Sequence, residues 1–177
     1  MYPLFKREMI ETEIKEMRKL YPFQEQNVQT IISELEENGE NFNLLYQLPT
    51  GGGKTVIFSE IAKRYLEKWG KKVLILTHRI ELSNQTARQL SAIGVTNKII
   101  NSEVKAIPDQ ENYQCFIAMV ETLNNRLQEN ENFVENVGLV IVDEAHYNSF
   151  RKIFQFYTQA NILGVTATPL SSNKALP

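Results

Sequence analysis

Hydrophobic positions in this chain fall in short unbroken runs, separated by longer stretches with helical spacing. Residues 44–48 (LLYQL), 73–77 (VLILT), 115–120 (CFIAMV), 139–142 (LVIV) and 162–166 (ILGVT) form the runs. Their length suits strands buried on both faces of a parallel sheet. Lys98–Asn101 is a weaker strand candidate. Between the runs, apolar residues recur at three- and four-residue intervals at about 24–38, 54–69, 81–92, 121–130 and 147–159, which predicts helices. Gly39, Gly70 and Gly94 each follow a helical stretch, where glycine commonly ends a helix. Alternating strands and helices imply right-handed crossovers. The fold class is therefore α/β, a mostly parallel sheet covered by helices on both faces.

The polar segment 102–113, with Pro108 inside it, reads as a loop. Tyr147, Phe150, Phe154 and Tyr157 share one face of the last predicted helix. A base-stacking platform is conceivable there, but such a stripe more often packs on a sheet, and core packing is the expectation.

Composition narrows the function classes. A chain of 177 residues suits one domain. Its formal net charge of -2 offers no overall attraction to nucleic acid or to an acidic membrane. Any phosphate backbone must be met by a few placed residues. Cys115, the single cysteine, lies in an apolar run and is expected to be buried. No apolar stretch approaches the ~20 residues of a membrane span, and the N-terminus lacks a signal peptide's apolar segment, so a cytoplasmic protein with no membrane partner is expected.

Chemistry concentrates at two strand ends. The run LLYQL leads into Pro49-Thr50-Gly51-Gly52-Gly53-Lys54-Thr55 and then into a predicted helix. Consecutive glycines let backbone N–H groups approach phosphates that side chains would hold off. The following helix adds its N-terminal dipole. Lys54 is placed to reach the β- and γ-phosphates of a nucleotide and the Thr55 hydroxyl to ligate Mg²⁺. The alternative is a glycine turn that happens to precede a lysine. Leu48 stands where the strict G-x-x-x-x-G-K-[ST] pattern has its first glycine.

The run LVIV ends in Asp143-Glu144-Ala145-His146. Two carboxylates at the C-terminal end of a parallel strand sit where open α/β sheets bind ligands. Asp143 can hold Mg²⁺, usually through water, and Glu144 can orient and deprotonate an attacking water. The alternative is an acidic helix N-cap. A phosphate loop upstream favours the catalytic reading.

Taken in order, these segments resemble superfamily 2 helicases of the DEAH-box kind. The loop is similar to their A-x-T-G-x-G-K-T motif, and Asp143-Glu144-Ala145-His146 matches the second motif letter for letter. Thr166-Ala167-Thr168-Pro169 resembles the third. Residues 77–85 (THRIELSNQ) resemble motif Ia, and Val120-Glu121-Thr122-Leu123 a later nucleic-acid motif of the first domain. Leu20-Tyr21-Pro22-Phe23-Gln24 resembles the L-R-P-Y-Q adenine-recognition element, with Tyr21 in the place of arginine. The T-A-T-P and L-P-T-G-x-G-K-T forms look most like the neighbourhood of the type III restriction subunit, UvrB and RecG.

The resemblance covers about residues 20–170 and implies a RecA-like ATP-binding domain there, after an N-terminal helical extension over 1–19. It implies ATP and Mg²⁺ as cofactors, held by Gln24, Thr50, Gly51, Gly52, Gly53, Lys54 and Thr55, with Asp143 and Thr55 on the metal. Lys54 and Glu144 would be catalytic. His146, Thr166 and Thr168 would couple phosphate state to nucleic acid. His78, Arg79, Glu121 and Thr122 would touch one strand, with DNA favoured over RNA. Such motors use a second RecA-like domain that supplies an arginine finger. The tail 171–177 is expected to start the linker to it, and this domain alone is expected to be nearly inactive. The function implied is the first motor domain of a DNA helicase or translocase. The motor of a restriction-type nuclease and a non-catalytic nucleotide-binding module are the alternatives.

Overall fold

The computed structural model describes residues 20–48, 53–144 and 151–167, together with Lys6, Glu8 and Met9. The rest of the expected helical extension over 1–19, Thr50, Gly51, Gly52, His146, Tyr147, Phe150 and Thr168, and the tail 171–177 expected as a linker lie outside the residues it describes.

Six short strands carry the fold: β1 (Asn43–Gln47), β2 (Lys72–Thr77), β3 (Asn97–Ile100), β4 (Cys115–Met119), β5 (Val137–Asp143) and β6 (Asn161–Thr166). They form one sheet in the order β1-β6-β5-β2-β4-β3, with every pairing parallel. The helices are α1 (Pro22–Asn38), α2 (Lys54–Trp69), α3 (Ile80–Ala92), α4 (Val120–Glu129) and the single turn α5 (Arg151–Phe154).

The unbroken apolar runs exist because both faces of the sheet are covered. On β2, Val73 and Ile75 face one layer, where Ile31 and Leu35 of α1, Phe58 and Ile61 of α2 and Leu90 of α3 pack. Leu74 and Leu76 face the other, against Leu123 and Leu127 of α4 and Ile153 of α5. Phe58 and Phe116 are both fully buried, each contributing on the order of 1.5–3 kcal/mol. Cys115 is buried in the first layer, as expected. Lys72 is tolerated at the start of β2 because its ammonium donates to the Gln110 carbonyl and lies 5.3 Å from the centre of the Phe116 ring. Gly39 and Gly70 close α1 and α2, their N–H groups donating to Leu35 and Leu66. No helix of the described residues is long and apolar enough to cross a membrane.

Two expectations need amending. The weak candidate near Lys98 is a true strand, β3, at the sheet edge. The helix expected over 147–159 is, in its described part, the single turn Arg151–Phe154 followed by turns. Phe154 and Tyr157 nevertheless pack into the second layer, as the core reading of that stripe requires. Tyr157 arrives there from a turn, its hydroxyl donating to the Val134 carbonyl at 3.3 Å.

Candidate functional site at the strand ends

The C-terminal ends of β1, β6, β5 and β2 lie side by side, and the sheet register decides which residues meet there. Asp143 pairs with Val165, Leu76 with Val142 and Gln47 with Thr166. Beyond Gln47, the Leu48 N–H donates to the Thr166 carbonyl at 2.9 Å, carrying the ladder to the lip of the glycine-rich loop. Leu48 is 1 % exposed and belongs to the core, which accounts for an apolar residue where the family pattern has a small one. Thr166 is buried at the same place.

Gly53 enters α2 with φ 72, a left-handed conformation that glycine adopts without a Cβ clash. It places Lys54 at the first position of α2. Lys54 Nζ lies 3.2 Å from Glu144 Oε1 and 3.5 Å from Asp143 Oδ1. Asp143 closes β5 and is buried, whereas Glu144 follows it with φ 57, a turn that carries its carboxylate out of the strand. Thr55, one residue after Lys54, is half-buried on the same turn of α2.

Burial pushes the Asp143 carboxyl above its ordinary range, and the neighbouring Glu144 adds to the rise, while Lys54 opposes both. An oxygen donor set of a carboxylate and a hydroxyl, completed by phosphate oxygens and water, fits a hard divalent cation such as Mg²⁺. Among the described residues, no cluster of three or more His, Cys, Asp or Glu builds a metal cage without such help.

Gln24 approaches the loop from α1. Its Oε1 accepts from the Tyr21 N–H at 3.0 Å, and its amide nitrogen abuts Gly53. The base-recognition candidate and the last glycine of the phosphate loop are thus neighbours, although 29 positions separate them in the sequence. Tyr21 and Phe23 flank this point, both exposed, with rings parallel to within 3° at 6.1 Å.

Two of the four predicted nucleic-acid residues line separate hollows. Thr122 lines a groove of about 510 Å³ with Ile80, Ser83 and Asn84 of α3 and Asn101 beyond β3. Arg79 lines a separate cavity of about 230 Å³, with Lys54, Asp143 and Glu144. His78 is half-buried at the end of β2, and Glu121 is exposed at the start of α4. Glu81 and Gln85 also line the smaller cavity. Sequence reasoning assigned them no part in the nucleotide site, since nothing along the chain says that β2 lies next to β5.

A family model described as type III restriction enzyme, res subunit, matches residues 17–171. The chain is 30 % identical over 164 residues to the putative ATP-dependent helicase IRC3 of Saccharomyces cerevisiae, covering 84 % of this chain and 23 % of that protein. It is 26 % identical over 165 residues to the ATP-dependent DNA helicase Hel308 of Pyrococcus abyssi, covering 86 % of this chain and 22 % of the relative. It therefore spans less than a quarter of the length of either. Among solved structures, the Hef helicase domain of Pyrococcus furiosus superposes with a TM-score of 0.65 at 27 % identity, over 82 % of this chain and 33 % of the other.

Proposed function

The chain belongs to the type III restriction enzyme res-subunit family and is a RecA-like domain of the superfamily 2 helicase kind, and from that premise we propose that it binds and hydrolyses Mg-ATP to drive movement on DNA. The observation that carries this reading is Lys54 joined to Asp143 and Glu144 at the mouth of the glycine-rich loop. A lysine that can leave two carboxylates for a triphosphate is what a nucleotide-driven site requires.

In this reading Lys54 binds the β- and γ-phosphates, and loop N–H groups at Thr50 to Gly53 hold the phosphate chain. Thr55 and Asp143 would hold magnesium, which would supply positive charge against that of the phosphates. Glu144 accepts the proton of the attacking water. Gln24 reads the adenine edge, with its carboxamide already oriented by the Tyr21 N–H. Thr166, whose carbonyl anchors the strand leading to the loop, couples phosphate state to the nucleic-acid side together with His146 and Thr168. The groove between α3 and Thr122 takes the sugar–phosphate backbone, and the relative Hel308, named a DNA helicase, favours DNA. Turnover needs a second RecA-like domain. The site opens at a sheet edge, and an arginine finger from outside is worth on the order of 10³–10⁵ in rate in related enzymes.

Calorimetric titration tests the reading. The wild-type chain should bind Mg-ADP and Mg-ATP, and Lys54→Ala should lose affinity at least tenfold. Equal affinities would remove Lys54 from the phosphate site and the proposal with it. The family match also sustains a second reading, in which the same motor serves a restriction-type nuclease. The two differ in the domains joined to this one, not in the site.

A further inference from the structure

We propose that Arg79 is a positioning residue that exchanges between Glu144 and a nucleic-acid phosphate, and so ties occupancy of the nucleic-acid groove to the state of the nucleotide site. This rests on the nucleotide reading given above.

The sheet order makes the meeting unavoidable. β2 and β5 are neighbours with Leu76 opposite Val142, so the chain leaves both strands at the same edge and at nearly the same height. Arg79 follows β2 and Glu144 follows β5. The Arg79 N–H donates to Thr77 Oγ1 at 3.1 Å, which fixes the turn that delivers its side chain. Arg79, Lys54, Asp143 and Glu144 then line one cavity of about 230 Å³.

The two cations of that cavity are used differently. Lys54 holds both catalytic carboxylates. Arg79 is exposed and takes part in none of the ion pairs among the described residues. Lys54 cannot serve the carboxylates and a triphosphate at full strength together. When nucleotide draws it away, Glu144 loses the ammonium now 3.2 Å from its Oε1. Among the described residues, the other cation lining the cavity is Arg79.

Arg79 also stands at the N-cap of α3, whose residues Ser83 and Asn84 line the adjoining groove with Thr122. The first turns of α3 border both hollows, with Arg79, Glu81, Leu82 and Gln85 lining the cavity and Ile80, Ser83 and Asn84 lining the groove. A guanidinium presents a planar fork of donors that fits a carboxylate and a phosphate equally well, but it serves one such partner at a time. Exclusive partners at two sites create a coupling free energy, and the coupling acts in both directions. Nucleotide recruits Arg79 to Glu144 and loosens nucleic acid. Nucleic acid takes Arg79 and frees Glu144 to receive the water's proton.

The test uses the full chain and fluorescence anisotropy of a labelled oligo(dT) at low salt, with and without saturating Mg-ADP. In the wild type, Mg-ADP should weaken oligonucleotide binding about fivefold or more, the lower end of ordinary coupling. Arg79→Ala should bind the oligonucleotide more weakly without nucleotide and show no response to Mg-ADP. By the same reciprocity its calorimetric affinity for Mg-ADP should fall by about the factor that Mg-ADP costs the oligonucleotide in the wild type. Arg79→Lys should restore part of the response. Glu144→Gln should bind oligonucleotide as the wild type does without nucleotide, yet also lose the response, because an amide needs no cation. Three outcomes overturn the inference while ADP binding stands: a full nucleotide effect in Arg79→Ala, no nucleotide effect in the wild type, or no oligonucleotide binding at all. A wild-type chain that does not bind Mg-ADP removes the nucleotide reading, and this inference falls with it.

Discussion

The amide nitrogen of Gln24 lies so close to Gly53 that a Cβ on that glycine would stand 2.4 Å from it. The residues proposed to read the base and to cradle phosphate therefore share one contact, and the sign of its disturbance can be worked out from either side.

Gly53→Ala should weaken Mg-ADP at least tenfold and lower stability by about 1–2 kcal/mol, the cost of a side chain in the left-handed region. The Gln24 end is flexible and can swing aside. The larger loss is therefore functional, because the swing takes the carboxamide away from the base. Urea denaturation and calorimetry on the same protein separate the two effects. Wild-type affinity in the variant would show that the contact is incidental.

Gln24→Ala should reduce the preference for ATP over GTP. A carboxamide can donate to adenine N7 and accept from the N6 amine, whereas guanine presents an acceptor at position 6. The variant also loses the hydrogen bond to the Tyr21 N–H that helps to cap α1, worth ~0.5–2 kcal/mol. Competition titrations read the first effect and thermal melts the second. A melt that shifts with no change in base preference would leave Gln24 as a helix cap and nothing more.

How much of this was legible along the chain depended on the range of the interaction. Strand runs, the ends of the first four helices and the paired carboxylates are local patterns, and each sits in the structure within a residue or two of its expected place. Asp143 even closes its strand, where open α/β sheets hold ligands. What depends on strand order was hidden. Arg79 was expected to touch nucleic acid, and the adjacency of β2 and β5 brings it in addition to a cavity that Glu144 also lines. Periodicity also overran its reach at Tyr157. Its three-residue spacing from Phe154 suits a helix, yet a turn delivers the ring to the core equally well. Leu48 looked like a departure from the motif, and its burial shows that the core dictates the residue there.

Glu144→Gln should keep nucleotide affinity within about twofold and remove hydrolysis in a protein carrying both RecA-like domains. The amide preserves the shape of the side chain but cannot accept the water's proton. Phosphate release under single-turnover conditions gives the answer. Wild-type turnover in the variant would assign the base elsewhere.

Stability should decline in alkali, beginning near the ordinary tyrosine pKa. Burial pushes Tyr65 from 10.0 up to about 12 and raises Tyr157 further, so the folded chain keeps protons that the unfolded chain has lost. Between those values the native state binds more protons than the unfolded state, and stability falls as pH rises. Thermal melts at pH 8, 10 and 11 should show the fall, and Tyr65→Phe should make it shallower. The Cys115 thiol, held protonated by complete burial, should react with a thiol reagent only on unfolding.

Among the described residues β1, which leads into the glycine-rich segment, pairs with β6 alone, and the two meet across 119 positions of sequence, from Phe42 to Asn161. During synthesis the loop is therefore made early and secured late. β2, β4 and β5 can pair as they leave the ribosome, while β1 waits until the segment ending at Thr166 has emerged. Contacts this distant are slow to close, because the chain gives up its loop entropy before the pairing compensates for it. A nascent chain that stalls before β6 would carry a complete glycine-rich motif that has no ladder to hold it. Competence to grip nucleotide should consequently appear as one of the last events of folding, and should report that the whole sheet has closed.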